Sequence, residues 1–181
     1  MRFHKIRLQG AWIIEPVPFE DERGSFSRQF CRRELADHGL VTDFVQHSSS
    51  RSKSVGTLRG LHFQRPPYME VKLVSCRKGA IWDVIVDLRI GSPTYRQWQG
   101  FELNPDNQRQ LYIPKGFAHG FQSLCDDTEV NYLISEYYVP NAADGIRYDD
   151  PAFPIDWPLT IGAISQKDRD WPTFSDSMSL V

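Results

Sequence analysis

The stretch Ala80-Ile81-Trp82-Asp83-Val84-Ile85-Val86-Asp87-Leu88 carries two faces: Trp82, Val84, Val86 and Leu88 are all apolar, while Ile81, Asp83, Ile85 and Asp87 are mixed. Successive side chains of a β-strand point to opposite sides, so this period of two predicts a strand with one face in a core and the other partly polar. Similar runs flank it at intervals of about 10 residues. They are VKLVSC at 71–76, TYRQWQGFEL at 94–103, RQLYIP at 109–114, AHGFQSL at 118–124 and EVNYLISEYY at 129–138. Short strands at this spacing predict an all-β sandwich or barrel, with a jelly roll favoured.

The breaks between the runs have turn chemistry. Lys78-Gly79 and Gly91-Ser92-Pro93 interrupt the pattern, and Asn104-Pro105-Asp106-Asn107 joins a Pro-set φ to residues that tolerate a left-handed backbone. Residues 1–10 and 11–17 are expected to add outer strands, which in sandwiches extend a sheet or exchange with a second copy. The one helix expected is RRELADHGL, residues 32–40, built of good helix formers with a glycine near its end. Beyond Pro140 the chain turns rich in Asp, Pro and Trp without strong periodicity, and is expected to wrap the barrel or close a site. The division expected is a single domain over 1–181 with its core at about 45–140.

Composition narrows the function classes. The formal charge of −2 gives no long-range pull toward polyanions, so no nucleic-acid partner is expected. No apolar run approaches the roughly 18 residues of a membrane helix, and the N-terminus lacks the apolar centre of a signal peptide. A soluble, cytoplasmic protein with no membrane partner is expected. Cys31, Cys76 and Cys125 are odd in number and far apart, without a CxxC pair, and read as free thiols.

Titratable residues concentrate in two segments, Leu58-Arg59-Gly60-Leu61-His62-Phe63-Gln64-Arg65-Pro66-Pro67 with Lys72 after it, and Ile113-Pro114-Lys115-Gly116-Phe117-Ala118-His119-Gly120-Phe121. His62 and Gln64, two apart, should share a face, with Arg59 and Leu61 on the other unless the glycine bends the chain. A lone histidine on a strand is most often a hydrogen-bonded structural residue, and a lone lysine is most often solvated. His62, Lys72 and His119 together in apolar, β-rich sequence point instead to a site.

With these motifs the chain resembles the dTDP-4-dehydrorhamnose 3,5-epimerase family nearly end to end. The landmarks occur in order as RGSF (23–26), FVQ with SRS (44–46, 50–52), LRGLHFQRPP (58–67), VKLV, GAIWDVIVDLRIGSPTY (79–95), LYIPKGFAHGF (111–121), EYYVP, DPAFPIDWP (150–158) and SQKD (165–168). The resemblance implies a cupin jelly roll (a double-stranded β-helix) with short peripheral helices, a homodimer and a nucleotide-sugar substrate. It implies His62 as general base, Asp168 as the carboxylate that orients it, Lys72 as the cation near the C4 oxygen and Tyr132 as the acid on the opposite face. For binding it implies Arg23, Gln46, Arg59 and His119 at the substrate or its diphosphate, Tyr138 stacked on the base and Lys167 facing the nucleotide. A ketone acidifies the carbons on both sides, so the implied chemistry requires no metal, nicotinamide or other cofactor.

The chain departs from the family pattern at substrate-facing positions. Ser48 stands where an asparagine is common, Arg28 where many members carry a glutamate that helps hold the substrate, Glu70 where glutamine is more frequent, and Ala143 where an acidic residue often follows the turn. These bear on the choice between double and single epimerisation and between a dTDP- and a CDP-linked sugar. Two other classes compete. A metal-dependent cupin would draw on His62, Gln64, Glu70 and His119, but it lacks the second His of a His-x-His pair and has Lys72 to repel a divalent cation. A non-catalytic sugar-nucleotide binder would need no base, acid and orienting carboxylate together.

Overall fold

The computed structural model describes residues 1–180. Thirteen strands occur in the order β1 (Arg2–Lys5), β2 (Trp12–Glu15), β3 (Phe19–Asp21), β4 (Gly24–Phe26), β5 (Gln46–Ser52), β6 (Leu58–Gln64), β7 (Lys72–Lys78), β8 (Ile81–Asp87), β9 (Trp98–Leu103), β10 (Gln110–Ile113), β11 (Phe117–Ser123), β12 (Thr128–Ile134) and β13 (Ala143–Gly145). Helix α1 (Arg32–Asp37) precedes β5, and α2 (Gln166–Asp170) lies in the C-terminal segment. A six-stranded sheet, β1-β2-β10-β7-β12-β5, faces a five-stranded sheet, β13-β6-β11-β8-β9, while β3 and β4 form a separate hairpin. Paired strands in both sheets are antiparallel, with neighbours distant in sequence, as in a jelly roll.

Strand alternation supplies the core. Val74 and Cys76 of β7, Val130 of β12, Ile81 and Ile85 of β8, and Phe117 and Phe121 of β11 project between the sheets with Leu103, Leu111 and Ile113. The same inward rows continue as Lys72, Tyr132 and His119, which line a cavity. Core and cavity are thus two ends of one inter-sheet space, divided by the change from apolar to polar residues along each row.

The β8 face expected to be partly polar is the inner one, and the face expected to sit in a single core lies outside. Val84 and Val86 pack with Leu61, Phe63 and Ala118 beneath Ile146, Phe153, Met178 and Leu180 of the C-terminal segment. Both faces of β8 are therefore covered, and Asp83 and Asp87 are 0% exposed. The C-terminal segment wraps the barrel, pairing Leu180 with Arg89 and Ile164 with Leu58.

Helix α1 is shorter than the expected 32–40. Gly39 adopts a φ of +70°, and the Leu40 N–H returns to the Leu35 carbonyl, which ends the helix. Leu35 seats it on Ile14, Val71, Leu73 and Tyr112, the outer face of the six-stranded sheet.

Candidate active site

Residues from both sheets and the C-terminal segment enclose a cavity of about 750 Å³. Of the residues expected at a site, His62, Tyr132, Lys72, Asp168, Gln46, Ser48, Arg59, His119, Tyr138 and Lys167 all line it.

The placement of Arg59 depends on a bulge. His119 of β11 pairs with His62, and Phe121 with Arg59, so β6 spends Gly60 and Leu61 where β11 spends Gly120 alone. A Cβ on Gly60, whose φ is +133°, would come within 2.4 Å of the Gly120 Cα. With one extra residue, Arg59 joins His62 and Gln64 on the cavity side, while Leu61 turns outward into the apolar layer, where Phe63 also packs. The glycine does bend the chain. Arg59 is anchored at its guanidinium by the Ser52 hydroxyl and the Arg51 carbonyl.

His62 Nε2 lies 2.6 Å from Asp168 Oδ1. The His62 side chain is 43% exposed toward the cavity mouth, whereas the Asp168 side chain is 6% exposed. Ser165 caps α2 by accepting the Asp168 N–H, which holds Asp168 at the start of the helix. Burial pushes the Asp168 carboxyl up, but the hydrogen bond and charge of His62 outweigh it and hold the net value below the usual carboxylate range. An ionised carboxylate only accepts, so Nε2 is the donor and a neutral His62 keeps its lone pair on Nδ1.

On the facing sheet, Tyr132 stands on β12 with its hydroxyl 2.8 Å from the Ser50 Oγ of β5. Burial pushes the phenol up and keeps it protonated through the neutral range, with the Ser50 hydrogen bond acting in the opposite direction. Lys72 Nζ lies 3.0 Å from Glu70 Oε1, in a pair whose side chains are 13% and 8% exposed. An ammonium has three N–H donors, so this pairing leaves two for a ligand oxygen. Glu70 Oε2 is buried without a partner.

His119 Nε2 lies 2.7 Å from Asp83 Oδ1 on the neighbouring β8. At the mouth, the Gln46 carboxamide oxygen accepts the Tyr138 N–H, and the Tyr138 side chain stands exposed. Lys167 Nζ lies over the Trp171 indole, 5.1 Å from its centroid. Ser48 and Ala143 line the cavity with small side chains that leave room for a ligand.

Arg23 and Arg28 are not brought to this cavity. Arg23 sits in the β3–β4 hairpin, 84% exposed and paired with Asp21, and Arg28 pairs with Glu34 at the protein surface. The β3–β4 hairpin pairs with neither sheet, and neither Arg23 nor Arg28 lines the cavity. The four residues weighed as metal ligands are engaged elsewhere. The Gln64 amide holds the Tyr68 and Tyr137 carbonyls and the Val139 N–H, Glu70 pairs with Lys72, and both histidines face carboxylates. Among the described residues no group of three His, Cys, Asp or Glu is arranged to hold a metal ion.

Asp83, Ser50 and Trp171 were not singled out by sequence reasoning. Asp83 left a signal, an acidic residue at an inward position of an apolar strand. Asp87 left the same signal, yet it is consumed by Arg89, Ser92 and Thr94. The pattern alone does not separate a site carboxylate from a structural one.

A family model described as dTDP-4-dehydrorhamnose 3,5-epimerase matches residues 5–176. The dTDP-4-dehydrorhamnose 3,5-epimerase of Methanothermobacter thermautotrophicus is 48% identical over 173 residues, covering 94% of this chain and 92% of that protein. The Bacillus anthracis enzyme, solved with TDP and PPi bound, superposes with a TM-score of 0.93 at 43% identity, over 96% of this chain and 99% of that one. The dTDP-6-deoxy-D-glucose-3,5-epimerase of Legionella pneumophila, solved with dTDP-4-keto-L-rhamnose, gives a TM-score of 0.92 at 39% identity, over 99% of this chain and 97% of that one.

Proposed function

The chain belongs to the dTDP-4-dehydrorhamnose 3,5-epimerase family, a family of isomerases, and from that premise we propose that His62 and Tyr132 invert carbons 3 and 5 of a dTDP-linked 4-keto-6-deoxyhexose from opposite walls of this cavity. The observation that carries the reading is the division of base and acid between the two sheets: His62 on β6 in the five-stranded sheet, Tyr132 on β12 in the six-stranded one.

In this reading the His62 Nδ1 takes the proton from a carbon next to the C4 ketone, and Asp168 stabilises the imidazolium that forms. The electron pair moves into the carbonyl as an enolate, whose oxygen the Lys72 ammonium stabilises. The Tyr132 hydroxyl then delivers a proton to the other face of the carbon, which inverts it. Solvent restores the Tyr132 proton and removes the one on His62, so the cycle balances. Arg59, His119 and Gln46 serve the substrate or its diphosphate, Tyr138 the nucleotide base at the mouth, Ser48 the sugar and Lys167 the nucleotide.

The same reading includes a homodimer. Phe19 and Phe26 of the hairpin are 70% and 74% exposed, large apolar rings with no cover in one chain. A second copy would bury them and bring its own Arg23 and Arg28 to the pocket mouth. Mixing inactive His62→Ala and Arg23→Ala chains should then restore part of the activity.

The reaction is tested by incubating the protein with dTDP-4-keto-6-deoxyglucose in heavy water and following the sugar protons by NMR. Deuterium at carbons 3 and 5 is expected. Label at one carbon alone makes the chain a mono-epimerase, and label at neither rejects the reaction.

A further inference from the structure

Gly145 of β13 lies directly opposite His62 of β6 in their antiparallel ladder. Its position has no side chain, and the space is taken by the indole of Trp171, at the C-terminal end of α2. A Cβ on Gly145 would fall 2.4 Å from Trp171 Cε2 and 2.5 Å from Nε1. The glycine is therefore required by close approach of the ring.

The ring is tied to the dyad at two points. Trp171 Nε1 donates to Asp168 Oδ1 at 3.2 Å, the same oxygen that accepts His62 Nε2 at 2.6 Å. The indole and imidazole meet edge to face, with centroids 6.3 Å apart and planes at 67°. The other carboxylate oxygen has only a long contact, the Gly60 N–H at 3.5 Å. One histidine alone fixes a single point on the carboxylate, and rotation about its side chain remains. A second donor on the same oxygen, from Trp171 at the end of α2, holds that oxygen from another direction and narrows this freedom.

We propose that Trp171 is a positioning residue for the base: its indole N–H fixes the Asp168 oxygen that orients His62, and its ring edge, seated on Gly145, holds the imidazole. The proposal rests on the reading of His62 as base. Trp171 lines the cavity, and the role assigned to its N–H is on the chemical step, through Asp168.

A kinetic cycle tests this, with solvent deuterium exchange into dTDP-4-keto-6-deoxyglucose as the readout. Trp171→Phe keeps an aromatic ring and removes the N–H. It should lower kcat for exchange about tenfold to 100-fold, the scale of a hydrogen bond to a charged group, with KM unchanged. In an Asp168→Ala background the same substitution should have little further effect, because the group it acts through is gone. Gly145→Ala, which displaces the ring and so removes both the N–H on Asp168 and the edge contact on His62, should lower kcat in the parent and keep part of that loss in the Asp168→Ala background. Equal losses from Trp171→Phe in the two backgrounds, or a rise in KM with kcat unchanged, would overturn the proposal. Failure of the base reading is separable, since His62→Ala would then exchange normally.

Discussion

His62 and His119 stand opposite each other in the β6–β11 ladder, and each directs its Nε2 to a buried carboxylate, Asp168 for the first and Asp83 for the second. The two pairs differ in access. The His62 side chain is 43% exposed, and that of His119 is 6% exposed with Asp83 at 0%. One imidazole is open to the cavity and to solvent, whereas the other is built into the wall.

Replacing the accessible one removes the proposed base. His62→Ala should reduce deuterium exchange at both carbons by about 10² to 10⁴-fold, the usual contribution of a positioned general base. Its thermal stability should change little in comparison. His119→Ala should behave differently, because Asp83 would be left as an unpaired buried carboxylate, with one oxygen already lacking a partner. A clear fall in Tm is expected for that variant, and equal Tm values for the two would show that the pairs are energetically alike.

Tyr132→Phe should separate proton removal from inversion. His62 can still take a proton and return it on its own face, so exchange into unreacted substrate persists while product of inverted configuration forms slowly. NMR of the label in substrate and product reads both rates. Parallel losses of the two would count against an acid on the facing sheet.

The Glu70–Lys72 pair is almost fully enclosed. Glu70→Leu would leave the ammonium without its partner, and a loss on the order of 3–5 kcal/mol is expected from urea unfolding. Glu70→Gln retains an acceptor oxygen for Nζ and should cost much less. Near-equal stabilities of Glu70→Leu and the parent would mean that the pair does not anchor Lys72.

Asp168 sets a stability change on the acid side. Its folded value lies below the usual aspartate range, so the unfolded chain binds the proton more tightly than the folded one. The contribution is therefore present above the unfolded value and lost as pH falls through the folded one. The stability difference between the parent and Asp168→Asn should shrink as the pH falls below about 4. Chemical denaturation at a series of pH values measures it, and a difference that stays level into acid would contradict the assignment.

Much of this molecule was legible before folding. The strand runs through 71–138 became β7 to β12, because alternation and turn residues act locally. The helix at 32–40 was placed correctly and overextended, since Gly39 at positive φ stops it early. Ten of the twelve expected site residues meet in one cavity. The two that do not, Arg23 and Arg28, lie on and beside a hairpin whose apolar rings face outward.

The family, the jelly roll and the chemical residue types were determined by the sequence alone, because periodicity, turn chemistry and ordered motifs are properties of neighbours along the chain. Tertiary structure decided the rest. It set Arg59 beside His62 through a bulge that strict alternation does not foresee, covered both faces of β8, and brought Trp171 across Gly145 onto Asp168. Each of these depends on how closely two backbones approach, and that distance is fixed only when strands remote in sequence pair.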